Sequence, residues 1–158
     1  MTRPLAIGQI RQLRDDSGKL GRDWVEVLRD VPIFSGLSKR HLRQIADSAR
    51  GQRFERGSQL VRKGERGETF FVLLDGKATV LIGRGQKRTL GPGDFFGELA
   101  LLDGGPRSAT VTAETDLLAL RISRRRFLAL VESDPKLAAG LLKGFAARLR
   151  AANAAPGD

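Results

Sequence analysis

The chain is 158 residues long, 41% hydrophobic and 29% charged, values ordinary for one globular domain with short appendages. Its 28 Lys and Arg against 18 Asp and Glu give a net charge of +10, which suits an anionic partner (nucleic acid, a lipid headgroup or a phosphorylated small molecule) or an arginine-rich surface with none. The absence of Cys excludes disulfides and thiolate chemistry and fits a reducing, cytoplasmic setting, while the apolar run Phe70 to Leu74 falls far short of a membrane span.

Met1 to Arg22 carries scattered apolar residues, Leu5, Ile7, Ile10 and Leu13, and then Asp15-Asp16-Ser17-Gly18. It has no signal-peptide h-region. It reads as a short helix and linker, an N-terminal extension that is either disordered or docked on a partner.

From Asp23 the pattern is helical. Trp24, Val25, Val27 and Leu28 recur at helix spacing, and Pro32 ends the segment. Ser38 is placed to cap a second helix, with Leu42, Ile45 and Ala46 on one face and Gly51 past its end. His41, in the first turn, is expected in solvent.

From Gln52 the period changes to two. Strands are expected at Gln59–Arg62, Thr69–Leu74, Lys77–Ile82, Arg88–Leu90, Ala109–Ala113 and Leu117–Ile122, separated by Gly-containing turns. Glu98 to Leu102 is a helix-forming run inside this β region. Ser123 can cap a helix through Phe127, Leu128, Leu130 and Val131. Asp134-Pro135 then opens another, which carries Leu137, Leu141, Leu142, Phe145 and Leu149. The expected fold is α+β: an antiparallel β-roll or jelly roll over about 52–122, flanked by N-terminal helices and by C-terminal helices over 123–152. The domain would span 23–152, with a tail at 153–158.

The chemistry concentrates between Gly97 and Ala109. First-turn amides of a helix lack internal partners and favour an anion. Gly97 clears the approach to them, and Ala100 keeps the far side small. Arg107 supplies a planar fork suited to phosphate oxygens. Pro106 stiffens its approach, and the small Ser108 and Ala109 let their amides reach the same anion. Glu98 is out of place beside an anion unless the ligand also carries a hydroxyl donor there. A ribose 2′-OH next to a 3′,5′-cyclic phosphate meets both demands. The structural alternative is a buried Glu98–Arg107 ion pair that staples the loop.

Phe96-Gly97-Glu98-Leu99-Ala100-Leu101, followed after a short turn by Pro106-Arg107-Ser108-Ala109-Thr110-Val111, resembles the phosphate-binding cassette of cyclic-nucleotide-binding domains. That family includes catabolite-activator-type regulators, cyclic-nucleotide-dependent kinases and gated channels. Gly64-Glu65-Arg66-Gly67-Glu68-Thr69-Phe70-Phe71-Val72 is similar to the family's upstream turn and strand, with Glu68 in place of the usual Asp. Gly76 and Gly91-Pro92-Gly93-Asp94 stand at its usual glycine positions. The resemblance covers about 24–150.

It implies that Glu98 binds the ribose 2′-OH and Arg107 the cyclic phosphate, assisted by the amides of Leu99, Ala100 and Ala109. Ser108 is similar to the residue of bacterial cAMP receptors, so cAMP is the expected ligand, with cGMP as the alternative. Ser108 either reads base or phosphate or satisfies local backbone. Val80 either packs on the purine or belongs to the core. Phe145, Arg148 and Leu149 are the candidates to cap the base from the last helix, although core packing is the better account of Phe145 and Leu149.

The expected function is a regulatory sensor that couples ligand binding to movement of its C-terminal helices, an allosteric step in signal transduction. Its output would pass to an unknown protein effector, since no helix-turn-helix domain follows Arg150, whether the chain is an excised sensor or a standalone receptor. Dimerisation through the last helix is a further expectation. An enzyme is not expected: there is a single His, no Cys and no nucleophile–base–orienter set. The alternative is a degenerate fold without ligand, serving protein interaction or basic contact with nucleic acid, for which the sequence offers no reading helix or stacking platform.

Overall fold

The structure, a computed structural model, describes residues 2–4 and 24–154. The expected N-terminal extension lies outside the described residues except for strand β1 (Thr2–Pro4), which pairs antiparallel with β2 (Arg50–Phe54). The tail beyond Ala154 also lies outside them.

Helix α1 (Trp24–Arg29) buries Trp24, Val25, Val27 and Leu28. Pro32 opens a 3₁₀ turn, Pro32–Phe34, where its missing N–H is harmless. Ser38 caps α2 (Lys39–Ser48) by accepting the His41 N–H at 3.2 Å. His41 is not in solvent. It is buried, with Nε2 3.0 Å from Asp134 Oδ2. Helix spacing puts it on the edge of the buried face, and the carboxylate satisfies a ring nitrogen that burial would otherwise strand.

The roll comprises β2, β3 (Gln59–Val61), β4 (Thr69–Asp75), β5 (Ala78–Leu81), β6 (Lys87–Leu90), β7 (Phe95–Phe96), β8 (Thr110–Ala113) and β9 (Leu117–Ser123). All the pairings are antiparallel. One sheet runs β1-β2-β9-β4-β7 and the other β3-β8-β5-β6. The fold is therefore the expected antiparallel roll with helices at both ends. Each strand read from the period-two pattern is present, its ends shifted by at most one residue. Strands β2 and β7 carry no such signal. The first reads Arg-Gly-Gln-Arg-Phe, and the second is only two residues long.

Strand β4 explains the longest apolar run in the roll. Phe70 and Val72 pack against the helices, while Phe71 and Leu73 fill the roll interior. A strand covered on both faces has no polar face to alternate with. Its aromatics then set β7. Phe71 stacks on Phe96 with centroids 5.1 Å apart, and Phe70 meets Phe95 at 5.9 Å.

After β7 come α3 (Glu98–Asp103), β8 and β9, then α4 (Arg124–Ser133) and α5 (Pro135–Ala154). Ser123 caps α4 by accepting the Arg126 N–H at 3.2 Å. Asp134 Oδ1 accepts the N–H groups of Lys136 and Leu137 at 3.1 and 3.3 Å at the start of α5. Further along, α5 lies flush on the 3₁₀ turn. A Cβ on Gly144 would collide with the Ile33 carbonyl, so only glycine permits this approach.

Candidate functional site

Strand β7 delivers the chain to Gly97, whose φ of +84° is the left-handed turn that glycine adopts without strain. Helix α3 begins at the next residue. A cavity of about 530 Å³ opens between β6, β7, the start of α3 and α5. It is lined by Arg88, Thr89, Leu90, Asp94, Phe95, Phe96, Gly97, Glu98, Ser108 and Arg148. Of the residues expected from the sequence, Gly97, Glu98 and Ser108 therefore line it directly.

Arg107 stands just behind Gly97. Its Nη2 donates to the Thr69 carbonyl at 2.7 Å, while Nη1 is buried without a protein partner. A Cβ on Gly97 would strike that Nη1, and one on Gly67 would sit 3.3 Å from Arg107 Cζ. The backbone is tied down as well. The Arg107 N–H donates to Glu65 O at 2.7 Å, and its carbonyl accepts the Gly64 N–H at 2.9 Å. Burial lowers the guanidinium pKa, and the carboxylates of Glu65 and Glu68 pull it back up.

Glu98 is buried. Its Oε1 pairs with Nη1 of Arg148, and its Oε2 is buried without a protein partner. The stapling alternative is thus not what forms. Among the described ion pairs Glu98 belongs to Arg148, and Arg107 leans on a backbone carbonyl.

Of the other expected residues, Ala100, Ala109 and Val80 lie outside the cavity wall. Leu99 follows Glu98 in α3. Ala100 is buried, and its N–H donates to the Gly97 carbonyl at 3.0 Å, so that amide is engaged within the helix start. Ala109 is half-buried against the roll core. Val80 is a buried member of that core, in register with Arg88 and Val111. Of the base-cap candidates, Arg148 reaches the cavity. Phe145 packs on the helical core, and Leu149 is 63% exposed.

Sequence reasoning passed over Arg88 and Thr89. Their strand shows no alternation, since Lys87, Arg88 and Thr89 are all exposed. The Phe95-Phe96 doublet just before Gly97 was the available signal for the apolar wall. Together the cavity offers the carboxylates of Asp94 and Glu98, the guanidiniums of Arg88 and Arg148, the hydroxyls of Thr89 and Ser108 and an apolar floor, with the Arg107 guanidinium behind Gly97. That mix suits a ligand with an anionic end and a flat apolar end. Among the described residues no cluster of His, Cys, Asp or Glu could hold a metal ion. No helix there is long and apolar enough to cross a membrane.

The chain matches the cyclic nucleotide-binding domain family over residues 51–134. It is 32% identical over 123 residues to a cAMP-dependent protein kinase regulatory subunit of Colletotrichum orbiculare, covering 77% of this chain and 32% of that protein. The chain thus spans about a third of the length of that relative. Among solved structures it is similar to the N-terminal domain of a transcriptional regulator from Streptomyces coelicolor, with a TM-score of 0.72 and 32% identity, covering 84% of this chain and 98% of that one. It is also similar to the regulatory domain of Toxoplasma gondii PKA, crystallised with cAMP, with a TM-score of 0.59 and 32% identity over 70% of this chain and 44% of that one. The matched sequence, the two-sheet roll and the glycine-backed arginine agree: the chain belongs to the cyclic nucleotide-binding domain family.

Proposed function

We propose that residues 23–152 form a sensor for a cyclic nucleotide, cAMP before cGMP, and that occupancy of the cavity moves helices α4 and α5. One observation carries this reading. Glu98 Oε2 and Arg107 Nη1 are an acceptor and a donor, both buried without protein partners; Glu98 follows Gly97 in the chain, and Arg107 Nη1 packs against Gly97. A buried unsatisfied group is costly, and native structures hold few of them. A ribose 2′-OH donates to the first, and a cyclic phosphate accepts from the second. Ser108 and the cAMP in the Toxoplasma gondii regulatory domain support the choice of cAMP.

The output is regulatory, not catalytic. It passes to a protein effector from a cytoplasmic domain. The exposed Leu142 and Leu149 on α5 give that helix a face for a second copy of the chain. Parallel calorimetric titration with cAMP, cGMP and 5′-AMP tests the ligand. Binding of cAMP well above the other two is expected. Equal binding of all three would remove the cyclic phosphate from the account, and no binding at all would leave a fold without its ligand.

A further inference from the structure

The hairpin of β5 and β6 ends in two bare aliphatics. Leu81 is 42% exposed and Ile82 49%, and of the large exposed hydrophobics among the described residues only these two are neighbours in the chain. They stand among cations. Lys87 is in register with Leu81 on β6. On its other side Leu81 is in register with Thr110, whose hydroxyl accepts the Lys63 N–H at 2.9 Å. A Cβ on Gly83 would come within 3.9 Å of Lys63 Nζ. No Asp or Glu occurs between Asp75 and Asp94. Lys63, Arg84 and Lys87 take part in none of the described ion pairs. The turn adds a further sign. The Gln86 N–H donates to the Gly83 carbonyl at 3.0 Å, which leaves Arg84 and Gly85 as the central residues, with φ of +50° and +77°. Such a hairpin turn favours Asn-Gly or Gly-Gly. Arg84 is the one non-glycine with a positive φ among the described residues. Glycine would fit there with less strain, so folding gives no reason for the arginine.

We propose that this hairpin end is a contact surface for an anionic lipid bilayer. Leu81 and Ile82 enter the boundary between headgroups and acyl chains, and Lys63, Arg84 and Lys87 meet the phosphates and carboxylates around them. The combination decides the partner. Cations alone would suit any polyanion. Two adjacent aliphatics gain nothing from the phosphates of a duplex, and the hairpin has no aromatic on which a base could stack. A bilayer surface uses both halves: its charge draws the cations, and its apolar layer takes the leucine and isoleucine out of water. Two side chains and three charges make a weak, reversible attachment. None of the five residues lines the cavity, so the surface stands apart from the nucleotide reading.

The test is co-sedimentation of the whole chain with vesicles of phosphatidylcholine alone and of phosphatidylcholine with phosphatidylserine, at low and at physiological salt. A duplex DNA titration and sedimentation of the protein without vesicles run beside it. Wild type is expected on the anionic vesicles and not on the neutral ones, with binding that falls as salt rises. Arg84→Gly and Lys87→Gln should each weaken it about fivefold, the share of one cation near an anionic surface. Leu81→Ser/Ile82→Ser should weaken it about tenfold or more. Arg84→Gly should at the same time raise the urea midpoint, so its loss of binding is not a loss of fold. Every variant should titrate with cAMP as wild type does. Absence of wild type from the anionic vesicles, or equal binding to both kinds, would overturn the proposal. Binding that the serine pair leaves intact would overturn it too, since cations alone would then be at work. Duplex binding as tight as vesicle binding, and indifferent to the serine pair, would assign the cations to nucleic acid instead. Self-association that the serine pair abolishes, without vesicle binding, would assign the patch to a second copy of the chain.

Discussion

Gly97 is packed against the guanidinium of Arg107 so closely that a Cβ there would strike Nη1 and stand 2.9 Å from the Thr69 carbonyl oxygen. Its φ of +84° adds a second demand for glycine. Gly97→Ala is therefore expected to destabilise the fold by about 1–2 kcal/mol from the left-handed backbone alone. It should also push Arg107 out of place and weaken cAMP binding. Urea unfolding and calorimetry on the same preparation measure the two losses.

Arg107 gives Nη2 to the Thr69 carbonyl, and its buried Nη1 has no protein partner. Arg107→Lys keeps a charge but cannot serve both, so affinity for cAMP should fall by about tenfold or more. Arg107→Ala should bring binding below detection, a loss of roughly 2–5 kcal/mol, because a desolvated phosphate would lose its countercharge. Near-native affinity in the alanine variant would mean that the phosphate sits elsewhere.

Glu98→Ala is expected to weaken cAMP by about 1.5–3 kcal/mol, the range for a hydrogen bond to a charged group. It should also abolish the preference over 2′-deoxy-cAMP. Survival of that preference would reassign the ribose contact.

Asp134 joins α2 to α5. Burial pushes its carboxyl pKa up, but the amides of Leu137 and Lys136 and the His41 ring outweigh this and hold it below the usual value. A carboxylate depressed in the fold contributes stability above its unfolded-state pKa. That contribution drains away as the pH falls through the lower folded value. The protein should therefore lose stability in the acid carboxylate range. Asp134→Asn keeps the cap but not the charge, so it should be less stable at neutral pH and show a flatter acid limb. Urea midpoints across a pH series decide it, and parallel curves for the two proteins would exclude this role for Asp134.

Much of this architecture was legible because it is local. The period-two strands bounded by glycines and the caps at Ser38, Ser123 and Asp134 depend on residues within a turn of one another, and each behaves as its chemistry requires. The cassette was legible because Gly97, Glu98 and Arg107 stand in one short stretch. What stayed hidden is tertiary. Nothing near His41 announces Asp134, and nothing near Glu98 announces Arg148, since each partner arrives on a helix from a distant part of the chain. Strand β2 was hidden for a related reason. Its Gln52 is buried and accepts from Arg121 across the sheet at 3.2 Å, a polar interior contact that periodicity does not signal.

Strand β4 gives Phe70 and Val72 to one core and Phe71 and Leu73 to the other. It is a party wall shared by the roll and the helices. Heat should melt both in a single cooperative step. A small molecule lodged in the roll should then slow amide exchange in helices it never touches.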